Sequence, residues 1–304
     1  MTEPRPSAIG RLGERSLGAL SGGQRRARVA LVLGSGGVKC AAAIGLWKVL
    51  ARERIPVDVA VGCSGGAIYA AAIALGDDLA LAEARTLVMW KGLFSRPNFG
   101  TLLRTVLPGR LGYSARVGLI NDRRVREVMH TLFGTRTFAD APIPLHIAAT
   151  DFTTGEKVVI SEGSIADAVR ASISVPLVLP PWPLGGRLLV DGGASNPLPV
   201  DIGIREGCDI ILAMGFEAYL GEPAGTLTGA VRRTMAIVTN HLLRSTFAFY
   251  SMAHHAELIP MIPGFQRRIT LTDSSQIPYI IEEGERIAEE QLPYLRRVLT
   301  AAHA

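Results

Sequence analysis

Apolar residues follow two rhythms along the chain. Short apolar runs at 28–33 (RVALVL) and 57–61 each end at a glycine cluster, and stretches of helical composition follow at 40–54 and 67–75. A strand, a glycine turn and a helix repeated at about thirty residues is the pattern of βαβ units on a parallel sheet. Helical patterns are also read at 77–90, at 126–133 behind a cap at Asn121, and at 164–171, stopped before Pro176. Further strands are expected at 145–150 and 157–161, joined by a Thr-Thr-Gly hairpin turn, and at 187–190 and 209–215. The remainder reads as helix at 227–252 and 278–302 around an apolar, proline-containing strand or loop at 258–265. The expectation is one α/β domain: a loose basic arm at 1–27, an α/β core at 28–215, and a helical part at 216–304 packed on it.

Composition narrows the class. Of 304 residues, 48% are hydrophobic and 19% charged, which excludes a disordered chain. Three cysteines without CxxC spacing exclude a disulfide scaffold and make a structural zinc site unexpected, and they fit a reducing compartment. No secretory signal is visible, and the uncharged stretch 59–76 reads as a buried strand–turn–helix rather than a membrane span. A cytoplasmic or membrane-peripheral protein is expected.

The net charge of +5 is unevenly spread. Six arginines fall within residues 1–28, and five cations with no acid fall within 91–121, a segment too long for a plain connector. No aromatic platform or helix-turn-helix pattern accompanies them, so nucleic acid is not expected as a partner. An anionic membrane surface fits better, with a plain solvated face as the alternative.

Three glycine-flanked motifs carry chemistry. Gly62-Cys63-Ser64-Gly65-Gly66 is a G-x-S-x-G between a strand and a helix, where a sharp turn lifts the serine hydroxyl over the sheet edge. Gly34-Ser35-Gly36-Gly37-Val38-Lys39 also joins a strand to a helix, and bare N–H groups there stabilise an anion. A dinucleotide fingerprint fails because Lys39 stands where glycine is required, and no phosphate-loop motif exists. An oxyanion cradle remains. Val190-Asp191-Gly192-Gly193 puts an acid at a strand end, a turn-former on its own but a candidate base beside an exposed serine. The later histidines (His241, His254, His255, His303) occupy helical stretches or the terminus, which points away from a Ser-His-Asp triad and toward a Ser/Asp dyad.

With these three segments in this order, the chain resembles the patatin-like phospholipases. Arg170-Ala-Ser-Ile-Ser-Val-Pro176 and Asp191-Gly-Gly-Ala-Ser-Asn-Pro-Leu-Pro199 extend the resemblance, which covers roughly 28–215 and continues weakly into the C-terminal helices. It implies a three-layer α/β/α fold with a mostly parallel sheet and hydrolysis of lipid-like carboxylic esters without cofactor or metal. Carried over, Ser64 is the nucleophile, Asp191 the proton acceptor, and Gly36 and Gly37 the oxyanion donors, with Gly62, Gly66, Gly192 and Gly193 as motif residues. The family's first and last loop glycines are Ser35 and Cys40 here, which questions the packing at Cys40. The alternative is a patatin-like lipid-binding or regulatory module with little catalysis. Arg170 is expected to hold the Asp191 loop, Lys39 to orient the glycine loop or face solvent, and Cys63 to be a buried filler. The 176–183 run with Trp182 is expected to form a rigid turn or line an acyl pocket.

Overall fold

The computed structural model describes residues 26–94, 122–176, 178–220, 225–270 and 273–301. The basic arm, the 91–121 segment beyond Phe94 and the Asn121 cap lie outside them.

Strand β1 (Val29–Leu33) is buried throughout. Its alternate residues separate to two cores: Val29, Leu31 and Leu33 enter one, Ala30 and Val32 the other. That is the period of two expected of a strand covered on both faces. The chain continues through α1 (Ala42–Arg52), β2 (Val59–Cys63), α2 (Gly65–Ala74), α3 (Leu79–Phe94) and α4 (Asp122–Phe133). The hairpin β3 (Leu145–Asp151) and β4 (Lys157–Ile160) follows, then α5 (Ile165–Ser172), β5 (Trp182–Leu184), β6 (Arg187–Asp191) and α6 (Val200–Arg205). Strand β7 (Ile210–Met214), α7 (Leu227–Ala253), β8 (Glu257–Met261) and α8 (Ile277–Ala301) complete it.

The eight strands form one mixed sheet, paired in the order β5-β6-β3-β2-β1-β7-β8 with β4 also on β3. From β8 to β3 the strands are parallel; β4, β5 and β6 pair antiparallel. Residues from α1, α2, α5 and α8 fill the larger core, and residues from α6 and α7 the smaller one on the opposite face. The result is three layers, helix on sheet on helix. The same sheet continues past 215 through β8, which pairs with β7.

Register places the site. Ile147 and Ala148 of β3 pair with both β2 and β4, so those two strands occupy opposite edges of β3. Ala149 and Thr150 pair with both β4 and β6, so β6 lies on the edge that β2 occupies. Cys63 ends β2 opposite Ala148, and Asp191 ends β6 opposite Ala149. Two strands running in opposite directions therefore meet at their carboxyl ends along one edge of β3.

Candidate active site

Ser64 follows directly from that meeting point. Its φ of 56° and ψ of −130° place a non-glycine residue in the left-handed region, a strain of order 1–3 kcal/mol that surrounding structure must hold. The hold is visible. Ser64 N–H donates to Ser172 Oγ at 2.8 Å, and Ser172 Oγ donates to Ala148 O at 2.6 Å. On either side the chain approaches its neighbours too closely for a side chain. A Cβ on Gly62 would stand 2.4 Å from Ala67 Cα, and one on Gly66 2.3 Å from Leu33 O.

Ser64 Oγ donates to Asp191 Oδ2 at 2.6 Å, and both residues are 5% exposed. The other carboxylate oxygen, Oδ1, accepts from Gly193 N–H at 2.7 Å. Burial pushes the Asp191 carboxyl up to about 6, against the opposing pull of the Ser64 and Gly193 hydrogen bonds. Desolvation dominates because a charged carboxylate loses more hydration than two donors return. No histidine hydrogen-bonds to Ser64 or Asp191 among the described residues.

The glycine loop after β1 closes the other side. Gly37 has φ +59° and opens the short 3-10 turn Gly37–Ala41. Neither Gly36 N–H nor Gly37 N–H finds an acceptor among the described residues. The Phe216 ring lies against Gly36, and Gly65 begins α2 beside Ser64. Backbone donors and a helix N-terminus thus gather beside one hydroxyl, an arrangement that stabilises negative charge.

Cys40 fills the place of a glycine without disturbance: it is buried, and its thiol donates to Gly34 O. Cys63 is likewise fully buried, and burial raises its thiol well above the ordinary range. Lys39 Nζ donates to Glu217 O at 2.7 Å and lies 6.0 Å from the Phe265 ring centroid, so it ties the glycine loop to the segment after β7. Among the described residues no group of three or more His, Cys, Asp or Glu is placed to hold a metal ion, and no helix is long and apolar enough to cross a membrane.

A space of about 470 Å³ opens beside Ser64, walled by Ile68, Trp90, Leu93, Val125, Val178 and Leu179. Part of the 176–183 run therefore does line it, whereas Trp182 forms β5 and lies over the Arg170 guanidinium at 5.0 Å. Arg170, 1% exposed, bonds Asp122 Oδ1 at 2.5 and 2.8 Å and Ser174 Oγ at 2.5 Å. Ser174 O in turn accepts from Asp191 N–H at 3.0 Å. Arg170 thus reaches Asp191 through one residue. Ser172, Ser174 and Asp122 carry these supports, and sequence reasoning assigned them no role. Ser172 and Ser174 lie inside the 170–176 motif, which was the available signal.

A family model described as patatin-like phospholipase matches residues 31–204, more than half of the chain. An uncharacterized NTE family protein of Mycobacterium tuberculosis is 30% identical over 240 residues, covering 78% of this chain and 61% of that protein. Patatin-like phospholipase domain-containing protein 7 of Mus musculus is 30% identical over 188 residues, 61% of this chain and 13% of that one. The chain thus spans less than two thirds of the length of these relatives. The crystal structure of VipD from Legionella pneumophila superposes with a TM-score of 0.49 and 15% identity, covering 88% of this chain and 67% of that one. By the family match over more than half of its residues, the chain belongs to the patatin-like phospholipase family.

Proposed function

We propose that the chain is a serine hydrolase of lipid-like carboxylic esters, of the phospholipase A, lysophospholipase or esterase type. The observation that carries this is the 2.6 Å Ser64–Asp191 hydrogen bond, with Ser64 at the wall of a mostly apolar space. Ser64 Oγ attacks the ester carbonyl while its proton passes to Asp191 Oδ2, the atom it already faces. The tetrahedral oxyanion is held by the N–H groups of Gly36 and Gly37, with Gly65 at the α2 N-terminus adding positive potential. On collapse the alcohol leaves with the proton from Asp191, and the acyl group stays on Ser64. Water, deprotonated by Asp191, then releases the fatty acid and restores the free hydroxyl.

Asp191 is suited to this exchange. A carboxyl near 6 is ionised at neutral pH yet basic enough to take a proton in the transition state. The lipid surface from which substrate would be drawn is proposed to be anionic, on the charge pattern of 91–121, most of which lies outside the described residues. The test is a lipid-class panel with product analysis, run beside fluorophosphonate labelling. Wild type should release fatty acid and take up label; Ser64→Ala should do neither. Equal turnover by both proteins removes the reading.

A further inference from the structure

The backbone of segment 192–197 touches each of the three glycine-flanked motifs. Gly192 O accepts from Asn196 N–H at 2.9 Å, which curls the chain directly after Asp191. Asn196 O accepts from the Cys63 thiol at 3.5 Å, one residue before Ser64. Pro197 O accepts from Ser35 N–H at 2.8 Å, one residue before Gly36. The approach is close: a Cβ on Gly34 would stand 2.8 Å from Pro197 O, and one on Gly192 2.9 Å from Cys63 Sγ. The acid loop, the serine turn and the glycine loop therefore meet on one short segment. A shift of that segment reaches base, nucleophile and oxyanion donors together.

The anchor of the segment lies outside all three motifs. Asn196 uses both ends of its amide: Oδ1 accepts from Leu198 N–H at 3.2 Å, and Nδ2 donates to Asp201 Oδ1 at 3.1 Å. Asp201 sits in the first turn of α6 and is 5% exposed. Its other oxygen, Oδ2, accepts from Lys157 Nζ and from Arg205 Nη2, the latter at 2.6 Å. Lys157 begins β4 and pairs with Thr150 of β3, whose Oγ1 donates to Asp191 O at 2.9 Å. One rung of the β3–β4 hairpin thus holds both ends of the stretch 191–201, Thr150 at Asp191 and Lys157 at Asp201.

A buried ion pair of this kind adds little net stability, because the cost of taking the charges out of water offsets their attraction. Apolar side chains in the same places would leave Asn196 Nδ2 without its acceptor. What the Asp201 carboxylate supplies is that acceptor at a fixed place, held by Lys157 and Arg205. We infer that Asp201 is a positioning residue for the hydrolysis, acting through Asn196 on the three motifs at once. The inference rests on the hydrolase reading. A misplacement of about 1 Å in the reacting groups costs on the order of a hundredfold in rate. The groups served here act on the transition state more than on the bound ester. Loss of the Asp201–Asn196 bond should therefore lower kcat and leave KM nearly unchanged.

The test is hydrolysis of a short soluble ester by the full chain, with circular dichroism on every protein. Wild type and Ser64→Ala are compared with two double variants, Asp201→Leu/Lys157→Met and Asp201→Asn/Lys157→Met. The first removes the ion pair and the acceptor; the second removes the same two charges and keeps an amide oxygen for Asn196. In the first, kcat should fall about tenfold to a hundredfold with KM within about twofold, and in the second kcat should stay within about threefold of wild type. A merely structural ion pair predicts the same kcat for both. A folded first variant with wild-type kcat overturns the inference, as does an equal loss in the two. Asn196→Ala removes the same bond from the other side with the ion pair in place, and decides the matter if the first variant does not fold. A wild-type kcat there overturns the inference, and a loss with KM unchanged supports it. A wild type no faster than Ser64→Ala removes the hydrolase reading and the inference with it, whereas active wild type beside fully active variants removes the inference alone.

Discussion

Trp90 donates its indole N–H to the Tyr69 hydroxyl at 2.8 Å, and the two residues line different cavities. Trp90 walls the space beside Ser64; Tyr69 walls a second space of about 510 Å³ between α2, α3 and α4, and Ile68 lines both. The two bonded residues therefore belong to the walls of different spaces. Trp90→Ala should open one space into the other and shift preference toward longer acyl chains. Each additional buried CH₂ contributes about 0.8 kcal/mol, close to fourfold in kcat/KM per methylene. A chain-length series of p-nitrophenyl esters reads this directly. An unchanged profile in a folded variant would show that the acyl group lies elsewhere.

Ser64→Ala should lower kcat on the order of 10⁶-fold, as expected when a nucleophile is removed, with the fold intact. The backbone offers a second readout. Ser64 sits at φ 56°, which alanine must also adopt but glycine adopts freely. Ser64→Gly should therefore unfold at a higher denaturant midpoint than Ser64→Ala, by an amount of about 1 kcal/mol. Both should be equally inactive. Equal midpoints would mean that the turn carries no strain.

What was legible in the sequence was what is local. β1 reads as a strand because both of its faces are buried, and Ser64 stands out because glycines bracket it. The expected end of β2 at Val61 was short by two residues. Gly62 interrupts the apolar run, yet it pairs with Leu33 and Ile147 in the ladder and admits no side chain against Ala67. The 176–183 run reads as a rigid turn or the lining of an acyl pocket, yet its end enters β5, which among the described residues pairs only with β6, and an edge strand tolerates proline. Helix α6 is six residues long, too short for a periodic signal. The meeting of Cys63 and Asp191 along β3, and the pairing of Arg170 with Asp122 across 48 positions, depend on register and packing that no short window contains.

Arg170 offers a test of positioning at a distance from the reacting atoms. Its guanidinium is buried, and burial pulls its pKa below the ordinary range even though Asp122 opposes this. Lysine cannot reproduce the fork that reaches Asp122, Ser174 and Pro180 O together. Arg170→Lys should cost about 3 kcal/mol of stability, at the lower end for a broken buried pair, read by urea denaturation. If the path through Ser174 to Asp191 matters, kcat should fall more than KM rises. A variant that loses stability but keeps kcat would confine Arg170 to the packing of α5.

Asp191 predicts opposite pH effects on activity and on stability. The base must be ionised, so kcat/KM should rise as pH increases through about 6 and then level. Stability runs the other way. The folded carboxyl titrates near 6 and the unfolded one near 3.8, so the native state holds its proton more tightly. The favourable contribution is complete below the unfolded value and is lost as pH rises through the folded one. The difference is on the order of 3 kcal/mol, since each pKa unit corresponds to about 1.4 kcal/mol. Asp191→Asn keeps an acceptor for Gly193 N–H but cannot take a proton. It should abolish turnover, and at pH 8 it should unfold at a higher temperature than wild type, with the advantage shrinking toward pH 4. His241→Gln, His254→Gln and His255→Gln should each retain near wild-type turnover at both pH values. Thermal unfolding and ester hydrolysis measured on one pH series decide the matter. A histidine variant as inactive as Asp191→Asn would replace the dyad with a triad, and an Asp191→Asn protein no more stable than wild type at pH 8 would mean that the carboxylate is not the strained group that its burial makes it.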